Sequence, residues 1–195
     1  KTLANKFGSN IYVNHMISHY KSRDGSNMRG FLGIPEEAFV FGRYGGMDTF
    51  NLSWSFGVIE KIVKEREDVY FLFMNTPVIC IHPRIIYLEP TTDIDEKNKF
   101  IMTCDANIVF ETLGHTFGMV CGEFGVNNKP SIVFNGQVWN RAHIDILGND
   151  GIYFQTQEQL YDILYNFEKK VYDMSCYSYY KPTNIMKEFE NVFIK

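Results

Sequence analysis

No apolar run in this chain approaches the roughly 20 residues needed to cross a bilayer as a helix, so no membrane span is expected. Cysteine is scarce. Cys80, Cys104, Cys121 and Cys176 are the whole set, and no two are spaced as Cys-x-x-Cys. That argues against a zinc site or a dense disulfide framework and fits reduced, mostly buried thiols in a cytoplasmic protein. Positive charge does not gather either. The 19 Lys and Arg are outnumbered by 23 Asp and Glu, giving a net charge of −4 and no basic stripe, so no nucleic-acid footprint is expected. A Gly-x-Ser-x-Gly elbow is missing, as are a Gly-Lys-Ser/Thr P-loop and a clean Gly-x-Gly-x-x-Gly. His15 and His19 stand four apart, but in a segment that reads as strand and loop. His82, His115 and His143 complete the set, and no metal site is expected. No signal-peptide pattern opens the chain and no repeats occur. The first residue is Lys1 rather than Met, so a piece of a longer protein is expected.

What is present is the material of a globular core. The 195 residues fit one domain, with 45% hydrophobic and 22% charged residues and 17 Phe and 12 Tyr. Short apolar runs alternate with helical stretches. Strands are expected at 11–13, 38–44, Val69–Met74, Ile85–Leu88, 106–110, Ser131–Phe134 and 151–154. Helices are expected at 52–66, where Phe56, Ile59 and Val63 share a face, and at 93–104, with Asp93 as N-cap or first-turn acid. Further helices are expected at 116–126, 156–171 (the longest) and 184–193. Residues 21–30 read as a polar loop or hinge. Ile185, Met186, Phe189 and Phe193 in the last helix suggest docking on something apolar. Strands apolar along their whole length, separated by helices, imply a doubly wound α/β domain: a parallel, Rossmann-like sheet covered on both faces. Ligands of such sheets sit at the carboxyl ends of the strands near the switch point. This directs attention to the loops at 43–48, 75–84, 89–92 and 111–118.

Two of these loops carry chemistry. Gly42-Arg43-Tyr44-Gly45-Gly46 follows a strand directly. Its glycines let a backbone approach a ligand, and its Arg offers a fork of donors for phosphate. A tight turn with a solvated Arg is an equal reading. In 114–123, a strand runs into a loop and a helix whose first N–H groups can hold an anion. Glu123, two turns in, could accept hydrogen bonds from ribose hydroxyls. A solvated helix residue is the plainer alternative.

The run CDANIVFETLGHTFGMVCGEFGVNNKPSIV resembles the donor-site segment of retaining GT-B glycosyltransferases of glycosyltransferase family 4. IPEEAFVFGRYGGMDTFN looks like the first strand and glycine loop of their C-terminal domain. VYFLFMNT and HPRIIYLEPTTD look like the next two strands, and KPTNIMKEFENVFIK like the closing helix. The likeness covers residues 31–195 and is similar in style to enzymes of large DNA viruses and some bacteria. It implies half of a GT-B fold, with residues 1–30 as the tail of a missing N-terminal domain and a hinge.

Residue by residue, the resemblance places Gly45 and Gly46 under the donor diphosphate and Arg43 at or near it. Asn75 stands at the mouth of the cleft. Ile86, Tyr87 and Leu88 form the stretch whose backbone reads the base. Thr116, Phe117, Gly118 and Met119 form the turn that meets diphosphate and sugar, and Glu123 holds the ribose. Two departures stand out. The family's first Glu is His115 here, which can donate or accept but is not an obligate acceptor. Asp48-Thr49 replaces the usual Lys-Gly. The implied function is a donor domain binding a nucleotide-diphosphate sugar for hexosyl transfer with retention. No cofactor and no metal are implied, no catalytic residue is named in this half, and a glycan or other acceptor is reached through the missing domain. The alternatives are a non-catalytic nucleotide- or partner-binding module and a nucleotide-sugar epimerase of similar fold.

Overall fold

A computed structural model describes residues 12–17 and 25–194. Six strands form one sheet: β1 (Phe39–Tyr44), β2 (Val69–Met74), β3 (Ile85–Leu88), β4 (Ala106–Val109), β5 (Ser131–Phe134) and β6 (Ile152–Phe154). Every pairing is parallel, in the order β3-β2-β1-β4-β5-β6. The chain thus leaves β3 and crosses over to lie beside β1 from the other side. The β1/β4 boundary is the switch point of a doubly wound sheet, and all carboxyl ends open on the same edge there. The burial of β2, β4 and β5 along nearly their whole length follows from helices covering both faces.

The helices are α1 (Arg29–Leu32), α2 (Trp54–Glu65), α3 (Ile94–Thr103), α4 (Met119–Gly125), α5 (Ala142–Leu147), α6 (Gln157–Tyr165) and α7 (Pro182–Phe193). Helix α2 buries Val58, Ile59, Ile62 and Val63 and packs against α6 over a core rich in Phe. On the opposite face Phe100 and Ile101 of α3 and Phe124 of α4 meet Val40 and Leu72. Asp93 caps α3, its carboxylate accepting from the N–H groups of Asp95 and Glu96. A third cluster joins Phe117, Cys121, Ile144, Leu147 and Tyr177 with Ile17. The four thiols are free, and burial pushes Cys121 up to about 12.

Several boundaries differ from expectation. The helix expected at 156–171 ends at Tyr165, so it is not the longest, although Phe167 stays buried beyond it. The helix expected from 116 begins at Met119, because Gly118 adopts a left-handed φ of 81° that a helix cannot contain. Residues 12–17 form no strand, and Ile11 lies outside the described residues, as do 1–10 and 18–24 of the expected tail. Helices α1 and α5 were not expected. On α7 only Ile185 is buried, while Met186, Phe189 and Phe193 remain exposed. Among the described residues no helix is long and apolar enough to cross a membrane.

Candidate functional site

Three loops meet at the carboxyl edge beside the switch point. The glycine loop leaves β1 at Tyr44 and turns through Gly45 and Gly46 into a short 3-10 helix (Met47–Thr49). Arg43 anchors it from beneath. The side chain is buried, and Nη1 donates to the Asn75 carbonyl (3.0 Å) and Thr76 Oγ1 (2.5 Å), while Nη2 donates to the Gly46 carbonyl (2.6 Å) and Thr49 Oγ1 (2.7 Å). Its guanidinium also lies over the Phe50 ring, 5.2 Å from the centroid. Burial lowers its pKa to about 10, with Glu111 as an opposing charge that raises it. Arg43 was expected at or near a diphosphate. The structure instead directs these donors to the chain itself, so its charge reaches the loop from below. Asn75 completes the lacing: with φ at 50°, its amide donates to the Gly45 carbonyl at 2.7 Å. Gly46 is exposed and Gly45 partly so, leaving backbone available to a ligand.

Tyr87 lies further out on β3, the edge strand. Its hydroxyl accepts from the N–H groups of Ile79 and Cys80 and donates to the Cys80 carbonyl (2.9 Å), so it ties down the 75–84 loop. The Leu88 carbonyl accepts from the Asn75 N–H at 3.3 Å.

Glu123 on α4 faces the end of β1 and helix α3 and is 4% exposed. The Tyr44 hydroxyl donates to its Oε2, and Lys97 Nζ of α3 stands 3.7 Å from its Oε1. The solvated-helix reading of Glu123 is therefore wrong. A buried carboxylate needs such partners to stay charged. Tyr44 and Lys97 were not singled out from sequence. Both belong to elements already recognised, but only the fold brings them to Glu123.

The loop after β4 is built differently. At Gly114, φ is 70° and a Cβ would stand 2.0 Å from the Asn140 carbonyl oxygen, where the two segments form a β-bridge. At Gly118 a Cβ would stand 2.6 Å from His143 Cβ. Both positions therefore require glycine. The Tyr177 hydroxyl, beneath, lies within reach of the Phe117 (3.4 Å) and Gly118 (3.5 Å) carbonyls as donor. Phe117 is buried against Tyr177, Tyr180 and His15, whereas Thr116 and Met119 are exposed. Together His15, His115, Thr116, Phe117, Gly118 and Met119 line a pocket of about 310 Å³ that continues to Val120 and Cys121. His15 reaches it because the 12–17 segment docks through Ile17, whose N–H donates to the Tyr180 carbonyl at 2.7 Å.

Behind the pocket stand Glu111, buried at the end of the β4 run, and His143 of α5. Nε2 of His115 is 2.8 Å from Glu111 Oε2. The His115 N–H donates to His143 Nδ1 (3.3 Å), and the two imidazoles pack edge to face. Burial, with His115 beside it, lowers the pKa of His143 to about 4. Glu111 could have been noticed in the sequence as a carboxylate four residues before His115 at a strand end. Among the described residues no group of three or more His, Cys, Asp or Glu is placed to hold a metal ion. A larger groove of about 480 Å³ lies between α2 and α6, but its lining residues all belong to those helices, and Lys61 covers the Tyr161 ring at 4.0 Å.

No protein-family model matches the chain, and no curated protein sequence does. Solved structures do resemble it. Anabaena HepE in complex with UDP and glucose is 14% identical, with a TM-score of 0.72 over 100% of this chain and 60% of that one. The glycosyltransferase WaaG, involved in lipopolysaccharide biosynthesis, is 13% identical, with a TM-score of 0.66 over 93% of this chain and 55% of its own. A UDP-forming trehalose-phosphate synthase from Burkholderia xenovorans, with glucose-6-phosphate, is 9% identical, with a TM-score of 0.68 over 95% of this chain and 50% of its own. The chain spans less than two thirds of each. What they share with it is the fold: a Rossmann-like half of the GT-B architecture.

Proposed function

We propose that this chain is the donor-binding half of a glycosyltransferase and takes a nucleoside-diphosphate sugar at the β1/β4 switch point. The observation that carries this reading is the 310 Å³ pocket at the loop after β4, lined by His115, Thr116, Phe117, Gly118 and Met119. It lies at the same carboxyl edge as the exposed glycine backbone after β1. HepE, of the same fold, is described with UDP-glucose, which makes uridine diphosphate the first nucleotide to try. In this reading the backbone of Gly45 and Gly46 approaches the diphosphate, and the buried Arg43 charge below them favours the anion. Glu123 receives the ribose hydroxyls, beside Tyr44 and Lys97. The sugar enters the pocket by His115.

The reaction of the whole enzyme is hexosyl transfer with retention. The bond from anomeric carbon to diphosphate oxygen breaks while an acceptor hydroxyl oxygen bonds to the same face and gives its proton to the departing diphosphate. The acceptor is held by a second domain. This half contributes preorganised positive charge and N–H groups toward the departing diphosphate, with no cofactor and no metal.

A second reading, a nucleotide- or partner-binding module without transfer, draws on one observation: Glu123 already accepts from Tyr44 and pairs with Lys97. Titration calorimetry with UDP, GDP and ADP tests both. Binding of one diphosphate, weakened about tenfold or more by Glu123→Ala as expected for lost charge-assisted hydrogen bonds, supports the donor domain. No heat with any of the three at millimolar concentration contradicts it. Nucleotide binding unchanged by a sugar on the diphosphate favours the module.

A further inference from the structure

Glu111 is the group that the reading above leaves without a task. Its carboxylate is nine-tenths or more buried, yet Oε2 has no aligned hydrogen-bond donor. A carboxylate oxygen in that position is costly unless a donor reaches it. The atom nearest to supplying one is His115 Nε2, 2.8 Å away and off line for a hydrogen bond, on an imidazole about a third exposed at the pocket wall. The Glu111 charge also acts on Arg43, raising its pKa against the effect of burial.

We infer that Glu111 is a positioning residue which holds the Nε2 proton of His115 and so leaves Nδ1 as a lone-pair acceptor for a hydroxyl of the donor sugar. The chemistry follows from the imidazole itself. In the neutral ring one nitrogen donates and the other accepts, and a carboxylate facing one nitrogen decides which. Nε2 faces Glu111, so the remaining nitrogen accepts. His143, the other imidazole in contact, has its Nδ1 3.3 Å from the His115 backbone N and 3.4 Å from the His115 carbonyl oxygen, so that atom engages the His115 backbone rather than its ring. A sugar hydroxyl donates to the His115 lone pair.

This inference rests on the donor-site reading, and its test separates the two. Long-range nitrogen–proton NMR of the histidine rings reads the His115 tautomer with no ligand present. The Nε2–H form is expected in the parent chain and in Glu111→Gln, which keeps an acceptor oxygen. In Glu111→Leu the preference relaxes toward a mixture. An Nδ1–H tautomer in the parent, or one that Glu111→Leu leaves unchanged, overturns the inference. Calorimetry on the same proteins then compares UDP with UDP-glucose. UDP-glucose should bind about tenfold tighter than UDP, the worth of one buried hydrogen bond. That gain should persist in Glu111→Gln and vanish in Glu111→Leu and His115→Ala. A gain that survives Glu111→Leu overturns the inference. Failure of UDP to bind the parent chain at all overturns the donor-site reading instead, and the tautomer result still stands on its own.

Discussion

The loop after β1 and the loop after β4 flank the same switch point but are built on opposite lines. The first is closed upon itself: Arg43 and Asn75 lace Gly45 and Gly46 to the β2 loop through five hydrogen bonds of 2.5–3.0 Å. The second is tied at its glycines, through Thr112 to Asn51 Oδ1 and from behind, and leaves an open pocket with a buried carboxylate oxygen lacking an aligned donor. On the proposed donor-site reading the difference separates two tasks: backbone on the closed loop meets the diphosphate, and side chains on the open loop meet the sugar.

The largest effect should come from breaking the closed loop. Arg43→Met leaves the Gly46 and Asn75 carbonyls without these donors and should cost about 3–5 kcal/mol through several unsatisfied buried acceptors. Urea denaturation measures it, and a loss below about 1 kcal/mol would mean that the lacing does not depend on Arg43. Next comes the open loop. Gly118→Ala forces a Cβ onto His143 at positive φ and should cost about 2–3 kcal/mol. Circular dichroism melting should show it, with a pocket that no longer distinguishes UDP-glucose from UDP.

The rear wall of the open loop gives a pH signature. His143 titrates at about 4 in the folded protein against an ordinary value of 6.5. Above pH 6.5 neither state binds the proton and the full stability is present. Between 6.5 and 4 the unfolded chain binds it and the folded one does not, so stability falls with acidification, by on the order of 3 kcal/mol in all. His143→Asn should flatten that segment of a stability–pH curve, and an unchanged slope would show that other groups produce it. The smallest effect should be Tyr44→Phe. It removes the hydroxyl from Glu123 but leaves Lys97, for about 1–2 kcal/mol by denaturant titration.

The sheet was legible because parallel strands buried on both faces write themselves as unbroken apolar runs, as in Val69–Met74 and Ser131–Phe134. Helix ends were less legible. The stop at Tyr165 and the start at Met119 depend on tertiary contacts and on one left-handed glycine. The loops that matter were found from their glycines and the motif around Phe117. What their side chains do was not. Arg43 reads the same in sequence whether it faces solvent, phosphate or its own backbone, and only burial decides. Glu111, Tyr44, Lys97 and His15 come to the site from four separate segments, and no spacing rule links them.

The most direct test of the account is an amide chemical-shift map of the chain titrated with UDP. The predicted shifts cluster at Gly45 and Gly46, at residues 115–120 and at Glu123, on both loops of the switch point. Shifts confined to the groove between α2 and α6, or no shifts at millimolar UDP, would contradict it.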